Sequence, residues 1–238
     1  LADLVWTIRK FQPDVIINRF DHRSPGTTHG HHTSSAMLSI EGFDLANNPA
    51  SFPEQLQSVQ PWQPKRVFFN TSWWFYGSKE KFDAANKTNM VSISTGVYFP
   101  NLGKSNQEIA ALSRSSHKSQ GFGSTGTRGD DTEYLEFLKG EPLKDKSSLF
   151  EGIDTSWNRV KGGKPIGELI TTIVNQYDFK NPSASIPNLV KAYTMIQSLD
   201  ENHWKKVKSE EIKLIISACS GLYLEAVSNT QEVTPGSV

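Results

Sequence analysis

The chain has 238 residues, with 25 Lys plus Arg balanced by 25 Asp plus Glu. At 36% hydrophobic it can build a sizeable core, and no stretch concentrates Lys or Arg as a nucleic-acid footprint requires. No apolar run approaches the roughly 18 residues of a membrane span, and a single cysteine, Cys219, excludes an internal disulfide while leaving the compartment open.

"LADLVWTIRKF" predicts a helix with Leu1, Leu4, Val5, Ile8 and Phe11 on one face, and it has neither an N-cap nor an initiator Met. We expect this chain to be a fragment of a longer protein. "QPDVIINRF" follows as a short strand in which Val15, Ile16 and Ile17 come without alternation, the pattern of a strand covered on both faces in a parallel sheet. The next loop holds His22, His29, His31 and His32, four of the six histidines. "HTSSAMLSIEGFDLANN" then predicts a helix with Ala36, Leu38, Ile40, Phe43, Leu45 and Ala46 inward.

"PKRVFFNT" and the alternating "MVSISTGVYF" predict two further strands. "SNQEIAALSRSSHKSQ" predicts a helix with Ile109, Ala110 and Leu112 inside, and "DTEYLEFLKG" a mostly buried strand closed by Gly140 and Pro142. This alternation predicts an α/β fold with a Rossmann-like, mostly parallel sheet over residues 1–150. From 151 to 228 the pattern turns helical, with Leu189, Val190, Tyr193, Ile196 and Leu199, then Ile212, Ile215, Cys219, Leu222 and Ala226, at helical intervals. Residues 229–238 read as a linker to a further domain.

Among the motifs, "GFGSTG" matches Gly-x-Gly-x-x-Gly at Gly121, Gly123 and Gly126, but it follows a predicted helix and opens none, so it reads as a loop. "SWWFYG" places Trp73, Trp74, Phe75 and Tyr76 together, which suits either a sugar-stacking surface or domain packing. His29 and His32 are spaced His-x-x-His where the loop meets the helix, so their side chains can converge on one metal. The loop also leaves the carboxyl end of a strand, where open α/β sheets bind ligands. His31, between them, is expected to point elsewhere and His22 to be solvated. Arg19 and Asp21 leave the same strand end and can orient a histidine or hold a polar substrate. His203 reads as structural.

Together, "RKFQPDVIINRF", "HGHHTSSAMLSIEGFDLA" and "SRSSHKSQG" resemble the second half of the PIG-L-type zinc-dependent N-deacetylase family, whose members include N-acetylglucosaminyl-phosphatidylinositol, mycothiol-precursor and bacillithiol-precursor deacetylases. The matching features are Arg9, Pro13-Asp14-Val15, His29-Gly30-His31-His32 and His117-Lys118-Ser119-Gln120; Gly30 and His31 replace the family's Pro and Asp. The resemblance implies a Zn2+ or other divalent metal held by His32. It gives His29 a catalytic role at the tetrahedral intermediate, and leaves Arg19, Asp21 and His31 as candidate substrate contacts. It further implies that two ligands and a general-base aspartate come from a His-Pro-Asp-Asp motif that this chain does not contain. A single ligand beside His29 predicts weak metal binding and no turnover by this chain alone. The implied substrate is a small N-acetylated amino sugar, with an exported or cell-envelope setting in large bacterial members. The other class of function open to the sequence is a non-catalytic carbohydrate-binding or scaffolding module.

Overall fold

The computed structural model describes residues 1–24, 26–225 and 227, so Ala226 and the expected linker at 229–238 lie outside the described residues. The chain divides into two units, one ending at Ile153 and the other beginning at Asp154.

In the first unit α1 (Ala2–Phe11) buries Val5, Ile8 and Arg9 and ends at Gln12 in the left-handed region, φ 54°. Strand β1 (Val15–Asn18) leads into the histidine loop, and α2 (Gly30–Leu45) follows. Next come β2 (Arg66–Thr71), the short helices α3 (Trp73–Tyr76) and α4 (Lys79–Ala84), and β3 (Met90–Ser94). The two-residue strands β4 (Tyr98–Phe99) and β5 (Lys104–Ser105) form a small hairpin ahead of α5 (Asn106–Ser115), and β6 (Thr132–Gly140) completes the unit.

The sheet corrects the expected parallel architecture. Its order is β1-β2-β6-β3; β1 and β2 are parallel, but β6 runs antiparallel to both β2 and β3. The unit is therefore mixed α/β with a mostly antiparallel sheet. Parallel and antiparallel strands buried to the same degree share one hydrophobic pattern, so composition alone could not separate them. The β2–β6 register shifts between Val67 and Phe68, so that Leu138 is an extra residue in β6 and the strand carries a bulge.

β1 is an edge strand, not one covered on both faces: Ile17 is half exposed. "MVSISTGVYF" breaks into β3 and β4, which lie in different sheets. α5 buries none of its residues, and Ile109 and Leu112 face outward.

Two hydrophobic clusters hold the unit. Phe68, Val91, Leu135 and Leu149 form one, and Val5, Ile8 and Ala46 join the other with Leu4, Ile16 and Trp62. Arg9, 1% exposed, ties α1 to the chain leaving α2. Its Nε donates to the Ala46 carbonyl at 3.0 Å, its Nη2 to those of Leu45, Asn48 and Ser51, and its Nη1 to the Phe52 carbonyl and Gln55 Oε1. A planar guanidinium with five donors suits this ring of carbonyls, which the end of a helix leaves short of partners.

α2 packs through small residues. Its buried positions are Thr33, Ala36, Ser39, Gly42 and Phe43, and a Cβ on Gly42 would meet Leu4 Cδ2 at 3.1 Å. The expected inward residues Leu38, Ile40 and Leu45 are only half-buried, because close approach of α1 selects the smallest side chains.

The second unit consists of α6 (Lys164–Gln176), α7 (Ile186–Gln197) and α8 (His203–Cys219) around Ile166, Ile173, Leu189, Ala192, Ile196 and Ile212. α8 stops at Cys219, and Leu222 lies beyond it, exposed.

Candidate metal centre

The loop after β1 ends at His29, whose extended backbone (φ −61°, ψ 145°) makes it the N-cap of α2. Its carbonyl accepts from the backbone N–H groups of His32 and Thr33, and the Thr28 and Thr33 hydroxyls share a 2.9 Å hydrogen bond across the turn. Starting the helix at Gly30 puts His31 and His32 in its first turn, where side chains lean back toward the N-terminus and so toward His29.

The three imidazoles gather as a result. One nitrogen from each of His29, His31 and His32 lies within 4.8 Å of the other two. The His32 ring stacks on Phe20 with centroids 3.9 Å apart and planes 13° from parallel, and stands 4.0 Å from the His31 ring and 5.5 Å from that of His29. The expectation that His31 points away is thus corrected: His29 is the extended N-cap, outside the helix, so the angular offset that separates positions i and i+2 within a helical turn does not hold between it and His31. His29 and His31 are exposed and His32 is half-buried.

Burial, then the neighbouring His31 and His29, holds His32 below the usual imidazole range, which favours the neutral form a metal requires. Two nitrogens bound to tetrahedral zinc at about 2.0–2.1 Å stand roughly 3.3 Å apart. A cluster within 4.8 Å therefore needs only small side-chain rotations to close on an ion. Neutral imidazoles suit zinc and its neighbours, and three of them leave a fourth position open, so the donor set fits such a metal.

Arg19 and Asp21 leave the strand end separately. Arg19 Nη1 donates to Asn70 Oδ1 at 2.5 Å, and Asn70 Nδ2 donates to Glu133 Oε2 at 2.7 Å. Asp21 is enclosed by Arg23, which donates to it from Nε at 2.8 Å, from Nη2 and from its backbone N–H, while the same guanidinium forks onto Glu136 at 2.8 and 2.7 Å. Burial pushes the Asp21 carboxyl up, but the hydrogen bonds and charge of Arg23 outweigh it and hold the group below its ordinary value. His22 is not simply solvated: its Nδ1 is buried, 3.7 Å from Asp21 Oδ1.

His117 lies past the end of α5, exposed and apart from the cluster, so its motif follows the helix and is not part of it. Phe75 packs on Phe69 and Tyr76 on Phe82, whereas Trp73 and Trp74 are 53% and 54% exposed. His203 opens α8 against Trp204 in the second unit. The glycines of "GFGSTG" sit in the loop between α5 and β6.

Sequence reasoning passed over Asn18, whose amide is buried beside His32 at the end of β1. An Asn that ends an apolar run is a readable signal, since a polar side chain in that position needs a partner.

Comparison with family models, with curated proteins and with solved structures found no match. No helix among the described residues is long and apolar enough to cross a membrane.

Proposed function

We propose that the intact protein is a metal-dependent amide hydrolase that removes acetyl from an N-acetylated amino sugar. The convergence of His29, His31 and His32 at the start of α2 carries this reading, and the likeness of the surrounding motifs to N-deacetylases supplies the reaction class. A bound zinc would supply Lewis acidity and lower the pKa of its water to about 7.

His32, stacked on Phe20, would hold the metal. His29, whose ring stands farther from the other two than they do from each other, would stay off the metal and face the oxyanion or give its proton to the departing amine, a contribution of about 10²- to 10⁴-fold by general acid–base precedent. Water adds to the acyl carbon, the C–N bond breaks, and acetate and the protonated amine leave. Asp21 is committed to Arg23 and would not take the proton of the water; the resemblance assigns that part to the aspartate of a His-Pro-Asp-Asp motif.

The test compares the intact protein with His32→Ala for zinc content and for acetate release from N-acetylglucosamine derivatives. Both are expected to fall to background. Undiminished zinc in the variant removes His32 from the ligand set.

The exposure of Trp73 and Trp74 favours a second reading, a carbohydrate-binding module in which these rings stack on sugar. In that case the Trp73→Ala/Trp74→Ala variant loses retention on a sugar matrix and wild type releases no acetate.

A further inference from the structure

Beside the metal centre, between the end of β1 and the first turns of α2, lies a cleft of about 280 Å³. Asn18 lines it, is 7% exposed, and its Nδ2 has no hydrogen-bond partner. Buried donors are almost always matched with acceptors, and this one, with less than 1 Å² of its own surface exposed, meets an acceptor in the cleft once the Asn18 amide turns about its last side-chain bond. The other polar walls are mixed, since a hydroxyl whose hydrogen is already donated offers only its lone pairs. Arg19 brings a guanidinium whose hydrogen bonds go to Asn70, and Ser35 Oγ donates to the His31 carbonyl at 2.8 Å. His32 stands on the same wall with its ring against Phe20.

Among the described residues no carboxylate lines this cleft. It therefore offers no counter-charge for a cation but both donors and an acceptor, as a hydroxyl- and carbonyl-bearing ligand needs, while Phe20 and Ala36 give apolar surface for the C–H face of a ring.

We propose that Asn18 is a substrate-positioning residue: its Nδ2–H donates to a hydroxyl or amide carbonyl oxygen of a neutral, oxygen-rich ligand seated in this cleft, which places that ligand next to His32. The inference rests on the deacetylase reading for its choice of an N-acetylated sugar. It goes beyond that reading in naming the residue and the cleft that hold it.

The test uses the intact protein labelled with 15N-asparagine and titrated with N-acetylglucosamine. Asn18→Ala, which lacks one side-chain amide pair, assigns the signal. The Asn18 pair is expected to shift along the binding curve, and Asn18→Leu, which keeps the volume, is expected to bind the sugar about three- to tenfold more weakly, the worth of one neutral hydrogen bond. In turnover the same variant raises KM by that factor and leaves kcat near wild type, a split that general loss of structure does not produce. An Asn18 signal unmoved up to the solubility limit of the sugar overturns the proposal, as does an Asn18→Leu variant with unchanged affinity. If the signal moves but wild type releases no acetate, the deacetylase reading fails and the cleft assignment stands. If acetate is released with KM unaffected by Asn18→Leu, only the cleft assignment fails.

Discussion

At the scale of single residues, Arg9 and the histidines make opposite demands. Arg9 serves structure: its 1%-exposed side chain fills the space beside α2 and donates to five carbonyls, of which that of Ser51 has no other hydrogen bond among the described residues, so Arg9→Ala, which opens a cavity and deletes these charged hydrogen bonds, is expected to cost about 3–5 kcal/mol in a urea unfolding curve. Arg9→Lys recovers only part of this, since an ammonium cannot reproduce the planar fork. His31 is free of such duties. If it serves the metal, His31→Ala lowers zinc affinity in a competition titration with a chelator; a substrate contact instead raises KM with zinc content unchanged. The sequence resolved the spacing of His29 and His32 but not the place of His31, because convergence depends on where the helix begins. The predicted helix opened after His31, whereas the real first residue is Gly30.

At the scale of elements, β1, β2, β6 and α2 were legible as runs of Val, Ile, Phe or Leu between breakers, and strand direction was not. Direction is set by connections: β2 reaches β6 only after the α3–α4 excursion, β3, the β4–β5 hairpin and α5, and apolar periodicity carries no sign of that route. α5 shows the other limit, since its apolar residues are exposed and its ends hold it in place. The Ser105 hydroxyl accepts from the Glu108 N–H, and Glu108 in turn accepts from the Ser105 N–H and from Arg128 Nε at 2.9 Å. Arg128 first, then the Ser105 N–H, holds the Glu108 carboxyl down to about 2 from 4.5. A lowered folded pKa means that this contribution is complete above pH 4.5 and is lost as the pH falls toward 2. Hydrogen exchange at the first amides of α5 is therefore expected to accelerate relative to those of β2 across that window, and Glu108→Gln is expected to flatten the change.

At the scale of the whole molecule, each unit has its own core, and the histidine cluster belongs to the first. Zinc that binds the folded first unit but not the unfolded chain adds about 2.7 kcal/mol at a concentration 100-fold above its Kd. Calorimetry with zinc against excess chelator is expected to show this as a raised unfolding midpoint, and His32→Ala to remove it. The rise should be present at neutral pH and fade with acid, as protons compete for the imidazoles. The small-residue packing of α2 bears on the same centre. Gly42 is ten residues from His32, or about 15 Å along the helix axis, and it sits where α1 presses closest. A methyl added at 42 therefore sets two responses against each other: the end of the Leu4 side chain gives by a few tenths of an ångström, or α2 shifts against α1 and carries the imidazoles at its far end with it, and zinc affinity of Gly42→Ala against its stability tells which.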